Sequence, residues 1–176
     1  MSVSPKFDPE QSCIALDERI AKETDPRRRQ LLEQVREHVF VEIRGELPKL
    51  MATLVDEPRY HFWGTHAEGG PKGRAAVEEF YRQMIAGGGN DFRFDIRRIV
   101  VDDDAVVTEG VMCQMIPGAA VAASGVEEIA GEPLDPKATY LAEMQILTVW
   151  PMSSDGRIMG EDIYFGSPPL AQLTRA

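Results

Sequence analysis

Three ionisable side chains of this chain stand beside apolar residues: His38, His61 and Glu143. They are the groups here suited to acid/base chemistry. An imidazole that is neutral near pH 7 can accept a proton, and a carboxyl group in an apolar cavity has its pKa raised until it can donate one. His61 lies in an aromatic run, Tyr60-His61-Phe62-Trp63, whose alternation puts Tyr60 and Phe62 on one face and His61 and Trp63 on the other. It is either a base or a packed, hydrogen-bonded histidine. His38 lies among Val35, Val39 and Glu42, so it is either a ligand contact or a core histidine paired with Glu42 one turn later. Glu143 sits where Ala142, Met144, Ile146 and Thr148 alternate with Glu143, Gln145, Leu147 and Val149. It is an inward acid or a rim glutamate on the outer face of a sheet.

Other chemistries find little support. His38, His61 and His66 show no metal-ligand spacing, and Asp102-Asp103-Asp104 reads as a turn without an EF-hand pattern behind it. Gly87-Gly88-Gly89 follows a helical stretch instead of preceding one, so no phosphate cradle is expected. Cys13 and Cys113 stand 100 residues apart in no CxxC spacing, which implies neither a zinc site nor a disulfide framework. No metal and no cofactor are expected. A net charge of −10 argues against nucleic acid or an anionic membrane as partner, since both call for clustered cations. The one basic run, Arg27-Arg28-Arg29, reads as a helix entry. No stretch approaches the roughly 18 apolar residues of a membrane span, and MSVSPKFDPE lacks a signal-peptide core; a cytoplasmic location is the expectation.

The elements that must position these groups follow from periodicity. With 176 residues, 43% of them apolar, the chain is long enough for one domain with a substantial core. Asp8 to Glu23 carries a weak helical pattern. From Pro26, behind an Asp cap, Leu31, Leu32, Val35, Val39 and Ile43 mark a long amphipathic helix ending near Gly45. Leu47, Leu50, Met51, Leu54 and Val55 predict a second helix reaching to Pro58, and Val77, Phe80, Tyr81, Met84 and Ile85 a third, stopped by Gly87-Gly88-Gly89-Asn90. The period then falls to two, predicting antiparallel strands over Phe92–Val101, Ala105–Ile116, Tyr140–Trp150 and Arg157–Phe165. Helices followed by strands is an α+β order. The Gly-, Ala- and Pro-rich stretch 117–138 is either a flap over a pocket mouth or a plain connecting loop.

The segment GTHAEGGPKGRAAVEEFYRQMIAGG at 64–86 carries a resemblance. An aromatic strand, a short Gly/Pro turn and a helix of the form G-R-x-x-[apolar]-x-x-F-Y resemble the nuclear transport factor 2-like superfamily, which includes steroid Δ-isomerases and SnoaL-like polyketide cyclases. The closing stretch resembles the family's "D-G-[KR]-I … E-x-x-Y-F-D", with Gly166 in place of the terminal Asp. The resemblance covers about 27–166. It implies a cone-shaped, strongly curved, mainly antiparallel sheet wrapped around the helices and enclosing an apolar pocket, with 1–26 as an extension bearing a possible short helix and 167–176 as a tail. It also implies a homodimer through the outer sheet face, where Val111, Cys113 and Met115 would form an apolar row.

Site residues follow from the same resemblance. The steroid isomerases' proton-shuttling carboxylate corresponds to Phe62, so that base is missing unless the register slips and turns His61 inward. Glu143 falls where those enzymes carry a protonated acid, and His38 replaces their phenolic donor. Glu161, or Asp162 in another register, matches the acid of SnoaL-like cyclases, so Glu143 and Glu161 would face one another across a dry pocket. Tyr60, Phe62, Trp63, Tyr81, Met112 and Phe165 are the expected substrate contacts. The Arg and Asp that hold water in limonene-type epoxide hydrolases are absent after Thr108-Glu109, where Gly110, Val111 and Met112 follow. The function expected is cofactor-independent isomerisation, dehydration or cyclisation of a compact apolar molecule; the alternative is a noncatalytic ligand-binding or dimerisation module.

Overall fold

Asp25 accepts hydrogen bonds from the backbone N–H groups of Arg27 and Arg28 at 2.9 and 3.0 Å, and Pro26 supplies the pre-set first turn of the long helix α2 (Pro26–Ile43). In this computed structural model, which describes residues 8–64, 69–167 and 170–176, a 3₁₀ turn (Pro9–Cys13) and α1 (Ile14–Lys22) precede it. Both pack onto it. Cys13 and Leu16 are buried in the main core with Leu31, Leu32 and Val35 of α2, and Ser12 Oγ accepts from the Phe94 backbone at 2.8 Å. His66 lies outside the described residues.

The second predicted helix is shorter than its apolar pattern. α3 (Leu47–Ala52) ends because Thr53 to Val55 are drawn into pairing with Ile158: Ile158 N–H donates to Thr53 O at 3.1 Å, and Val55 N–H to Ile158 O at 2.9 Å. After the short strand β1 (His61–Trp63), helix α4 (Arg74–Ala86) buries Val77 and Tyr81 as its spacing predicts. Four further segments complete the main sheet: β2 (Phe92–Val101), β3 (Ala105–Pro117), β6 (Thr139–Pro151) and β7 (Asp162–Phe165). Between β3 and β6, the stretch read as flap or loop contains α5 (Gly118–Ala123) and a small hairpin of β4 (Glu128–Ile129) and β5 (Glu132–Pro133). A final strand, β8 (Leu173–Arg175), pairs with the start of β6.

The strand order is β1-β7-β6-β3-β2, antiparallel except for the parallel β1/β7 pair. This is the α+β, mainly antiparallel sheet expected from the helix-then-strand order. A β-bulge between Ile96 and Arg98 bends β2, and Gly110 lies across from it. A Cβ on Gly110 would sit 2.2 Å from Asp95 O, so only glycine lets the strands approach there. The helices cover one face, where Tyr140, Ala142, Met144, Ile146, Thr148 and Trp150 of β6 are all buried.

Two expectations about the sheet need correction. The predicted strand from Arg157 begins only at Asp162, because Gly160 has φ +148° and Ile158 makes only isolated bridges to Leu54 and Met152. The row Val111, Cys113, Met115 is not an exposed apolar stripe. Cys113 is buried with its sulfur near Arg93 and Asp95 at 3.9 and 3.8 Å, and burial raises its thiol pKa. The exposed large apolar side chains of the sheet are Trp63, Val100 and Tyr164.

Candidate active site

Between the helices and the inner face of the sheet lies a cavity of about 330 Å³, within the range of small-molecule sites. Aromatic and methionine side chains form most of its wall: Phe62, Phe80, Met84, Phe92, Met112 and Phe165 among them. Among the described residues its polar lining is Glu42, Tyr60, Tyr81, Gln114 and Glu161, with no lysine or arginine. A larger hollow of about 460 Å³ lies on the outer face, lined by Val100, Val107, Leu147 and Tyr164 with Arg98, Glu109 and Gln145. Its polar side chains are rim groups, two of them an ion pair at 3.7 Å, so the converging buried acids of the inner cavity make that cavity the candidate site.

Each polar group arrives on a different element. α2 carries His38 and Glu42 one turn apart on its inner stripe. α4 contributes Tyr81, and the residue before β1 is Tyr60. Glu161 precedes β7, and its position depends on Gly160, whose missing Cβ would lie 1.8 Å from Arg59 O. That close passage lets 59–61 run beside 159–161, with Arg59 N–H donating to Met159 O and His61 N–H to Glu161 O at 2.9 and 2.8 Å. Tyr60 and Glu161 thereby enter the same cavity.

Four of these groups, Tyr60, Tyr81, Glu161 and His38, form one hydrogen-bonded cluster, with Glu42 beside it. The Tyr60 and Tyr81 hydroxyls are 2.7 Å apart, and Tyr81 O–H donates to Glu161 Oε1 at 2.9 Å. His38 is fully buried behind them. Its Nε2 lies 3.1 Å from the Tyr81 hydroxyl, 3.3 Å from Glu161 Oε1 and 4.0 Å from Glu42 Oε2, while Nδ1 meets Thr53 Oγ1 at 2.7 Å. Burial, and then the charge of Glu161, push the Glu42 carboxyl well above the usual carboxylate range. The same two causes push both phenols well above the ordinary tyrosine value, so both remain O–H donors. Such a set can donate hydrogen bonds to an oxygen that gains charge while a carboxylate takes or returns a proton.

The sequence-derived candidates divide accordingly. Tyr60, Phe62, Tyr81, Met112, Phe165 and Glu161 line the cavity, and His38 joins the cluster from behind. Glu143 does not face Glu161. Met112 pairs with Met144 and Cys113 with Glu143 across β3/β6, so the methionines share the inner face and Glu143 takes the outer one, lining a hollow with Glu128 and residues 170–174. No residue of 117–138 lines the inner cavity. His61 points to the other side of β1, where Nδ1 meets Asp162 Oδ1 at 2.6 Å and the ring stacks on Trp63. Trp63 in turn stacks on the exposed Tyr164. Glu42 was legible only as a partner for His38; an acid on the apolar stripe of a buried helix was the signal that also marked it as a site residue. Among the described residues no cluster of His, Cys, Asp and Glu could hold a metal, and no helix is long and apolar enough to cross a membrane.

Comparison with known proteins adds the lineage. No curated protein matches the sequence significantly. Among solved structures, an LEH-like epoxide hydrolase of Mycobacterium tuberculosis is similar at 19% identity and TM-score 0.57, over 82% of this chain and 89% of that one. An NTF2-like protein of Burkholderia xenovorans is similar at 13% and 0.56, over 81% and 93%, and a ketosteroid isomerase-like protein of Erwinia carotovora at 15% and 0.53, over 82% and 100%. At such identities these likenesses concern the fold. The family model of the SnoaL-like domain matches residues 35–158, a span that runs from the middle of α2 to the bridge before Glu161, and the chain belongs to the SnoaL-like family.

Proposed function

We propose that this protein is a SnoaL-like small-molecule enzyme that performs cofactor-independent acid/base chemistry, an isomerisation, dehydration or cyclisation, on a compact and largely apolar substrate. The observation that carries the reading is the pairing of two carboxyl groups in one apolar cavity, Glu42 pushed by burial towards its protonated form and Glu161 hydrogen-bonded by Tyr81. Unequal environments divide the roles of two acids. Oε1 of Glu161 is engaged by Tyr81 and His38, which leaves Oε2 to take a proton from a substrate carbon next to a carbonyl. The C–H electron pair then moves to the carbonyl oxygen, where the Glu42 carboxyl is the donor, and return of the proton to another carbon completes an isomerisation. Epoxide opening is not supported, since the acid–arginine arrangement is replaced by Gly110, Val111 and Met112. The outer face of the sheet, with Val100, Trp63 and Tyr164 exposed, is our proposed contact with a second copy of the chain.

The test is deuterium exchange, followed by NMR in D₂O, across a panel of compact cyclic ketones including β,γ-unsaturated ones. Wild type and Glu143→Gln should exchange α-protons equally, and Glu161→Gln should be slower by about 10²–10⁴-fold, the usual contribution of a positioned general base. Equal exchange by wild type and Glu161→Gln, or no exchange of any ketone by wild type, would overturn the reading.

A further inference from the structure

The hydrogens of the buried cluster do not add up unless one more proton is present. Thr53 Oγ1 has a single hydrogen, and it goes to Leu50 O at 2.6 Å. Towards His38 the hydroxyl can therefore only accept, at 2.7 Å, which puts a hydrogen on Nδ1. Thr53 cannot easily turn away. Its residue is buried, and its backbone carbonyl is held by Ile158 N–H and the Gln34 amide at 3.1 and 2.9 Å.

A neutral His38 with hydrogen on Nδ1 would aim a bare lone pair at Glu161 Oε1 and at the Tyr81 oxygen, 3.3 and 3.1 Å away. Tyr81 has one hydrogen, given to Glu161 at 2.9 Å. Turning it to Nε2 would strip Oε1 of that donor and still leave two acceptors 3.3 Å apart. No relief comes from the described surroundings: Glu42 on α2 comes no nearer Nε2 than 4.0 Å, Tyr60 bonds Tyr81, Trp150 of β6 meets the imidazole in a T-shaped contact and bonds Thr108, and no lysine or arginine among the described residues lines the cavity. Unsatisfied or repelling polar atoms at this depth are costly.

We infer that His38 and Glu161 hold one proton jointly, between Nε2 and Oε1, and that Thr53 is the positioning residue that fixes this arrangement by fixing the ring's tautomer. The histidine is then the counter-charge of the buried acid. Its use in turnover rests on the proposed function: when Glu161 receives a substrate proton on Oε2, the imidazolium remains and balances the negative charge that has moved to the substrate oxygen. The proton count of the cavity is preserved when the proton returns.

The arrangement is tested without substrate, by ¹⁵N NMR of protein labelled at histidine, with His38 assigned from spectra of His61→Gln and His66→Gln. At pH 7 the wild-type Nδ1 should resonate as an N–H nitrogen, with Nε2 displaced from the bare-nitrogen range towards the protonated one. In Glu161→Gln, Nε2 should return to the bare-nitrogen range while Nδ1 stays protonated. In Thr53→Val, Nδ1 should become the bare nitrogen, and Thr53→Ser, which keeps the hydroxyl, should restore the wild-type spectrum and show that a change in Thr53→Val is not misfolding. A wild-type spectrum with bare Nδ1, or a Thr53→Val spectrum identical to wild type, overturns the inference. Because these signals need no turnover, failure of ketone exchange with the expected spectra would sink the enzyme reading alone.

Discussion

Replacing Glu42 by Gln should make the protein more stable, increasingly so as the pH rises. The side chain is 13% exposed, lines an apolar cavity and shares it with Glu161, so its pKa in the folded state lies well above the ordinary glutamate value. In the unfolded chain the group ionises near pH ~4.3. Above that pH the folded state keeps a proton that the unfolded state has lost, and stability falls as pH climbs towards the folded-state pKa. The slope is fixed by one proton: up to ~1.4 kcal/mol per pH unit, or roughly 3–5 °C in Tm per unit for a chain of this size. Gln mimics the neutral carboxyl and carries no such penalty. Thermal unfolding of wild type and Glu42→Gln, measured from pH 4 to 8, should give curves that meet at the acid end and diverge upward, with the variant on top. Groups far from the cavity cancel in the difference. Parallel curves, or a wild type that gains on the variant with rising pH, would show that Glu42 ionises freely and would remove the neutral acid from the site.

Two further outcomes follow from geometry. Gly160→Ala should cost about 3 kcal/mol or more, the scale of a change that combines backbone strain with a clash, because its Cβ would meet the Arg59 carbonyl at 1.8 Å at φ +148°; urea titration measures it, and wild-type stability would refute the placement of Glu161 by this close passage. Sedimentation should find a dimer that Val100→Lys or Tyr164→Lys dissociates while the circular dichroism spectrum stays that of the folded chain, since both side chains are exposed on the outer face; an unaltered dimer, or a monomeric wild type, would rule out that face.

Local rules were enough wherever one element decides its own structure. The Asp25 cap and Pro26 begin α2, Gly45 follows its end at φ +66°, and the stripe Val77 to Tyr81 selects the buried face of α4. The alternation in Tyr60 to Trp63 correctly separated the cavity face from the face of His61 and Trp63. The same rule left Glu143 undecided, because alternation says which residues share a face and not which face turns inward. The apolar side of β6, Ala142, Met144 and Ile146, was the better guide to the core than a position inferred from resemblance. α3 ended early for another non-local reason: Thr53 to Val55 bond to Ile158, about a hundred residues away.

The amino-acid sequence by itself determined the helix-then-strand order, the family and the set of residues able to exchange protons, since these depend on spacings of two to four residues and on motif. Only the tertiary structure decided which of those residues meet. Glu42, Tyr60, Tyr81 and Glu161 come from four separate segments, and the close passage at Gly160 and the packing of α2 and α4 bring them into one cavity. Burial then does what no spacing can: it removes water from Glu42 and both phenols and raises their pKa values, while packing sets His38 Nε2 3.3 Å from Glu161 Oε1.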